Sequence, residues 1–507
     1  MNTNLGAWGW GWVGVFLALF VGIGFYAMRK TKSDEDFAVA RSSYGPVILA
    51  FAFAATIASG ATFMSLPGMA FSKGFAALWY PATYPIAIYL GMLLAIKLIK
   101  RAGDRFKSNS LPEFMGQRYN SNFLRIAFAL VSLLLVYYIA AQIVAAATIF
   151  QVLLGLEYQT GVLFSVAVIA LYIVMGGSHA DIITDGIQGV MMVLIALIIG
   201  IMFVLAVGFP GTGPAEINNA LVAVDPNMGW DTYFIEGDAL FGSFWLVTLI
   251  FIAHIPFAMN PHIGKLAFAL KDPKQIRTFL LIAIPIGSIL GFTVLGGLHA
   301  RALVGEEIIA AGLKPDAAIP VLFTQLFPPF IAGMLGVGVL SAIMSTSDGL
   351  FISIAVIFSN DLYKKTFAPI IHKDKSPAQI EKNALTISRV AIILIGVVAI
   401  WLAWTPPKFL AILLWIGVGG ILAGASGPLL VGSLWSRATK PAAIISFLVG
   451  VLGYGGSYLY LKFVKEINPN PFEVAGYSII AASVVMVVVS LLTKPMPQEH
   501  LDRVFKS

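Results

Sequence analysis

Apolar residues run through this chain in blocks of about twenty, cut by short polar turns. A helix that crosses a bilayer needs about 20 mostly apolar residues. Thirteen stretches meet that length: 7–28, 44–72, 76–99, 121–153, 158–176, 183–208, 241–260, 278–300, 329–359, 387–405, 409–435, 441–461 and 472–493. The second, fourth and ninth are long enough to be tilted, broken or to protrude. Composition agrees: 59% of residues are hydrophobic, 11% are charged and the mean hydropathy is +0.88. A soluble protein carries about 25% charged residues. The pattern therefore predicts an all-α, multi-pass integral membrane protein of the cell membrane.

Charge placement orients it. With the N-terminus outside, the inner segments are 29–43, 97–125, 261–277, 360–389, 436–440 and 494–507. They hold 26 of the 32 lysines and arginines. Only Lys73, Arg301, Lys314, Lys408, Lys462 and Lys465 fall outside them. Positive charge marks the cytoplasmic face, so the C-terminus is predicted inside, and the net charge of +7 reads as topology rather than nucleic-acid binding. The 209–240 loop, with Glu216, Asp225, Asp231, Glu236 and Asp238, falls outside. Cysteine is absent, which excludes disulfides and thiol chemistry. No phosphate-binding loop, soluble module or nucleophile–base spacing appears. ATP-driven pumping, catalysis and an obligate protein partner are therefore not expected.

Three polar constellations interrupt the apolar runs. The first is Leu340-Ser341-Ala342-Ile343-Met344-Ser345-Thr346-Ser347-Asp348-Gly349. Helical spacing puts Ala342, Ser345 and Thr346 on one face, and hard oxygen ligands suit sodium. Hydroxyls alone also back-bond to their own helix, but an ionisable residue at membrane depth marks a functional site. The second is a pair of breaks. One lies at Thr56-Ile57-Ala58-Ser59-Gly60 with Pro67-Gly68 beyond. The other is His254-Ile255-Pro256-Phe257-Ala258-Met259-Asn260-Pro261-His262. They fall five spans apart, at the front of two five-span sets, 44–208 and 241–436. An odd number of spans inverts the second set. Matched interrupted helices are the best sequence pointer to a transporter site. Residues 1–43 precede the sets with one helix; 437–507 follow with two helices and a short tail. The third constellation, Gly176 through Gln188, places Asp181 and Asp185 one turn apart. Asp181 reads as near water, and Asp185 as the deeper candidate.

Together these motifs resemble the sodium:solute symporter family of proline, pantothenate, monocarboxylate, sialic-acid and sodium–glucose carriers. The resemblance spans about 5–493. It rests on Thr62 through Gly68, Pro112-Glu113-Phe114 through Arg118-Tyr119, Gly176 through Gln188, Asn260-Pro261-His262, Leu340 through Asp348, and Ser359-Asn360-Asp361-Leu362-Tyr363. It implies a LeuT-like 5+5 inverted repeat working by alternating access. It also implies a sodium site made of the Ala54 and Ile57 carbonyls with Ala342, Ser345 and Thr346. Asp185 and Asp348 match the region of a possible second ion. Solute contacts are implied at Thr56, Ser59, Gly60, His254, Phe257, Asn260 and Trp415. Thr56, Ala61 and Trp415 stand where glucose carriers use asparagine, histidine and glutamine.

The expectation is sodium-driven import of a small organic solute, carboxylate-bearing by the Asn260-Pro261-His262 likeness: a monocarboxylate, pantothenate or an amino acid such as proline. Sodium and that solute are the expected partners, within a lipid bilayer. No lysine or arginine is expected deep in the spans to meet the carboxylate. Alternatives are a sugar, polyol or sialic-acid carrier, and a transporter-like sensor or channel.

Overall fold

The computed structural model describes residues 5–29, 34–405 and 409–506. Lys30, Lys32 and Lys408, counted above, lie outside the described residues. Helices account for nearly all of the rest, and the one β pairing among the described residues is an isolated bridge between Tyr44 and Leu270. Ten helices are long and apolar enough to cross a membrane, or eleven if one bent pair is a single span. Two shorter apolar helices, Pro46–Ile57 and Tyr158–Ile169, add to these.

In chain order the principal helices are α1 (Ala7–Met28), α2 (Pro46–Ile57), α3 (Leu66–Lys73), α4 (Trp79–Phe106), α5 (Leu135–Leu154) and α6 (Tyr158–Leu205). There follow α7 (Phe244–His254), α8 (Pro261–Ala269), α9 (Ile276–Leu290), α10 (Thr293–Ala310) and α11 (Pro329–Val356). The last four are α12 (Pro377–Ala403), α13 (Leu410–Ala425), α14 (Lys440–Phe463) and α15 (Pro471–Leu492). Every residue of α11 from Leu335 to Val356 is buried, so this helix is the central post. The 377–403 and 440–463 helices instead present much apolar surface outward, as bilayer contact requires.

Three local sequences break the helical ladder. After Ile57, Ala58 leaves the helical region (φ −80, ψ 72), and the chain restarts as a wide turn, Ala61–Ser65, leading into α3. Pro67 is tolerated in the first turn of α3, where the missing N–H has no partner to lose. In the second break Pro256 sits in a tight turn, Ile255–Met259, and Asn260 is extended ahead of Pro261. The two halves, Phe244–Met259 and Pro261–Ala269, bend by 51°. The predicted stretches 158–176 and 183–208 form one run, α6, kinked at Gly177 (φ 55, ψ −154). A Cβ there would lie 2.5 Å from the Phe37 ring.

The expectation that 261–277 is a loop of the cytoplasmic face is corrected in its first part. Pro261 starts a helix instead of ending one, so α8 continues the bent span and carries Lys265 inward, 5% exposed. Lys100 on α4 is also fully buried, held by Asp104 at 2.8 Å and by the Phe268 carbonyl. Basic side chains thus do lie inside the bundle.

Each break is gripped by a neighbouring glycine. A Cβ on Gly297 of α10 would fall 1.9 Å from the Pro67 carbonyl, and one on Gly91 of α4 would fall 1.7 Å from the Ile255 carbonyl. The α4 backbone therefore touches the second break directly, and α10 touches the first turn of α3 just beyond the first break. Gly297→Ala should cost about 1–3 kcal/mol through overpacking, read as a lowered thermal-unfolding midpoint of the detergent-purified protein. An unchanged midpoint would show that α10 can stand off from the first break at no cost.

Candidate functional site

The break after Ile57 leaves backbone carbonyls of α2 facing α11. The Ser345 hydroxyl lies 3.0 Å from the Ala55 carbonyl and 3.1 Å from that of Ala342. The Thr346 hydroxyl lies 3.1 Å from the Thr56 carbonyl and 3.4 Å from that of Ala342. All of these residues are buried. The sequence-predicted Ala54 and Ile57 sit one residue to either side of the pair that meets the hydroxyls. The Ala54 carbonyl accepts the Ala58 N–H and the Ile57 carbonyl accepts that of Ser59, at 2.9 Å each. Hydroxyl and carbonyl oxygens from segments 290 residues apart are thus gathered into one small, dry, polar cage. That is a donor set for a hard monovalent cation.

Beside the cage lies a second cluster. One carboxylate oxygen from each of Asp181, Asp185 and Asp348 falls within 4.8 Å of the others, and all three residues are buried. Asp181, predicted near water, is 2% exposed and pairs with the Lys265 ammonium at 3.0 Å. The kink at Gly177 turns the start of the second half of α6 into the bundle and accounts for this. Thr56 joins the two sites. Its hydroxyl lies 2.8 Å from Asp185 Oδ2 and 2.8 Å from its own helix at Ala52, while its carbonyl receives Thr346. Thr56, nominated by the resemblance as a solute contact, is not among the residues lining the aromatic cavity; its polar groups face Asp185 and Thr346 instead.

The cavity itself lies next to both breaks. Ser59, Thr62, Tyr80, Tyr84, Tyr138, His254, Phe257, Leu414 and Trp415 are prominent in its wall. Its free volume is about 30 Å³, room for about two waters. Of the nominated solute contacts, Ser59, His254, Phe257 and Trp415 line it. Gly60 does not: its N–H donates to Gln142 Oε1 at 2.9 Å. Asn260 is also absent from the wall and is fully buried with neither side-chain polar atom hydrogen-bonded. His254 Nδ1 faces the Ile250 carbonyl at 2.7 Å and so carries the proton. Its Nε2 is left to accept the Tyr80 hydroxyl at 3.1 Å. The His254 ring also lies 4.7 Å from that of Trp415. No lysine, arginine or carboxylate is among the described lining residues.

Tyr80, Tyr84 and Tyr138 were missed by sequence reasoning. The i, i+4 spacing of Tyr80 and Tyr84 on one face of an apolar helix was the available signal. Asp316 was missed as well. It belongs to the short turn Pro315–Ala317, outside the spanning helices, and is 5% exposed. Its Oδ2 accepts the Leu410 N–H at 2.9 Å, while Ser65 Oγ accepts that of Ala411 at 3.1 Å. A Cβ on Gly68 would collide with Asp316 Oδ1. Asp316 thus clasps α3 to the start of α13, capping a helix N-terminus whose dipole favours an anion. Burial pushes the Asp316 carboxyl up to about 7.

An interrupted helix meeting α11 at a buried oxygen cage, with a second interrupted helix across an aromatic cavity, in a bundle of membrane-spanning length, defines an ion-coupled membrane carrier. The profile of the sodium:solute symporter family matches residues 37–450, and the chain belongs to that family. It is 27% identical to the sodium/pantothenate symporter of Escherichia coli (strain K12), over 87% of this chain and 88% of that protein. It is 26% identical to the high-affinity proline transporter PutP of Bacillus subtilis (strain 168), over 95% and 97%. The fold is similar to that of a Na+-coupled sialic acid symporter solved in a substrate-bound outward-open state. That likeness has a TM-score of 0.77 at 19% identity, over 98% of this chain and 100% of that one.

The Asp316 clasp carries a pH dependence of defined sign. In the closed clasp the carboxyl holds its proton up to about pH 7, whereas an opened, hydrated clasp returns it towards 3.8. The closed form binds the proton more tightly, so it loses stability as pH rises from the lower value through the upper one, and the loss then levels off. A cysteine placed at Thr62 in the otherwise cysteine-free chain reports opening through an impermeant maleimide. Labelling, corrected for maleimide reactivity on a free thiol, should rise between about pH 5 and about pH 7. The rise should vanish in Asp316→Asn. A pH-independent rate in the parent would show that the clasp does not gate the cavity.

Proposed function

We propose that this protein is a sodium-coupled symporter that imports a small carboxylate-bearing organic solute by alternating access. The observation that carries the reading is the meeting of the Ser345 and Thr346 hydroxyls with the freed backbone of Ala55 and Thr56. Sodium held by the Ala54, Ile57 and Ala342 carbonyls with those two hydroxyls ties α2 to α11. Coupling follows if sodium favours the outward-open, solute-ready state, and the linkage is reciprocal. Asp185 and Asp348 supply oxygens for a second cation.

The solute site is the aromatic cavity, with Ser59, His254, Phe257 and Trp415 as contacts and Gly60 and Asn260 as backbone and side-chain neighbours at the two breaks. Pantothenate and proline, named for relatives that match most of the chain, are the first solutes to test. The arrangement in the membrane is thirteen spans with the N-terminus outside, the two inverted repeats running over 44–208 and 241–436. Ten long apolar helices, a bent pair and two shorter apolar helices among the described residues support that reading.

Ser345→Ala with Thr346→Ala removes two ligand oxygens while leaving the helix intact. In proteoliposomes the sodium concentration for half-maximal uptake should rise by at least about tenfold. Unchanged sodium affinity would refute the cage as the coupling site. Asp185→Asn should impair uptake while the protein still purifies folded, by monodisperse gel filtration and a preserved unfolding midpoint. Full uptake in that variant would make Asp185 a structural residue.

A further inference from the structure

The Asp181–Asp185–Asp348 cluster holds a feature the sodium reading does not use. Lys265, on α8, is 5% exposed and aims its ammonium into the cluster, 3.0 Å from Asp181 Oδ2. That nitrogen makes no geometrically sound hydrogen bond, and neither do the inner oxygens, Asp181 Oδ1 and Asp185 Oδ1. Both aspartates are at most 2% exposed. A buried ammonium normally saturates its three donors. Here its close partner is a single carboxylate oxygen, Asp181 Oδ2, at 3.0 Å. The oxygens of Asp181 and Asp185 are thus only partly spent, and the nearest charge of opposite sign is a side chain that swings on four carbons.

The location matters as much as the charge. Asp181 and Asp185 belong to α6, Asp348 to α11, and Lys265 to the inner half of the second broken helix. Asp181 Oδ1 lies beside Gly349, where a Cβ would come 3.7 Å from that oxygen and 3.8 Å from the His262 Cβ. A narrow cavity, walled by Ser110, Pro261, Lys265, Ser353 and Val356 among others, adjoins the lysine.

We propose that the Lys265 ammonium is a tethered stand-in cation, neutralising the Asp181–Asp185–Asp348 carboxylates when no sodium occupies them and competing with sodium for those oxygens. The inference rests on the reading that the carrier binds sodium. It adds a specific role for Lys265: the lysine lowers sodium affinity at the cluster, and a carrier emptied of sodium keeps its buried carboxylates paired. The same swing transfers the tie from α8 to the ion.

Direct binding of radioactive sodium to the purified, detergent-solubilised protein tests this without knowledge of the solute. Lys265→Met removes the competitor and should bind sodium more tightly, by about tenfold at half-saturation. Lys265→Arg keeps the charge and should stay within about twofold of the parent. Asp181→Asn removes a shared oxygen ligand and should bind more weakly. The tightening in Lys265→Met should persist when Ser345 and Thr346 are both alanine, which places it at the cluster. Unchanged or weaker sodium binding in Lys265→Met, with its unfolding midpoint preserved, overturns the competition. If Lys265→Met is too unstable to purify, the arginine variant decides: a shift beyond about tenfold with the charge retained overturns the proposal, and parent-like binding supports it. A parent protein that binds no sodium at all overturns the sodium reading itself, a result distinct from the others.

Discussion

Thr56 is the residue through which the rest of the site is assembled. Its carbonyl receives the Thr346 hydroxyl at 3.1 Å, and its own hydroxyl lies 2.8 Å from Asp185. One residue of α2 therefore touches the oxygen cage on one side and the acidic cluster on the other. It can do so because the helix ends one residue later: the carbonyls of Ala55 and Thr56 are no longer committed to a continuing ladder. In a bilayer such freed groups are tolerated only where buried partners or a cavity satisfy them. The break, the hydroxyl face of α11 and the carboxylate on α6 are thus one arrangement. Moving any one of them leaves a buried polar group without its partner, at about 1–3 kcal/mol each.

Rigid neighbours make that arrangement hold. Gly297 and Gly91 allow α10 and α4 to lie directly on the first turn of α3 and on the second break. Asp316 then fastens the outer half of the first broken helix to α13. The aromatic cavity lies between these supports, with Tyr80 locked to His254 and His254 to its own helix. Its walls are preformed but nearly closed.

The elements legible in the sequence were those encoded locally. The apolar blocks predicted an all-helical, membrane-spanning chain, the Pro and Gly clusters located both breaks, and the i, i+3, i+4 spacing singled out the hydroxyl face of α11. What escaped was encoded by tertiary contact. Lys265 looked like a loop cation because a proline usually ends a helix, yet Pro261 begins one here. Asp181 looked wet because it follows a glycine pair near the expected membrane edge, yet the Gly177 kink folds it inward. Asp316 sits in a loop more than 90 residues from the helix end it caps, with nothing local to mark it. Thr56 was noticed, but a sequence cannot say which wall of a helix break a side chain faces.

The burial of three carboxylates also sets how ion binding can drive motion. Moving one carboxylate out of water carries an effective penalty of several kcal/mol, offset only by a nearby cation with good geometry. Coupling between two sites in a protein needs only about 1–3 kcal/mol. Leaving such a carboxylate without a compensating cation therefore costs at least that amount. The carboxylates stand on α6 and α11, and the ammonium stands on α8. A change of cation is therefore felt between the second break and the helices that carry the cage. Long-range motion needs no further wire, because the oxygen cage and the acidic cluster already share Thr56.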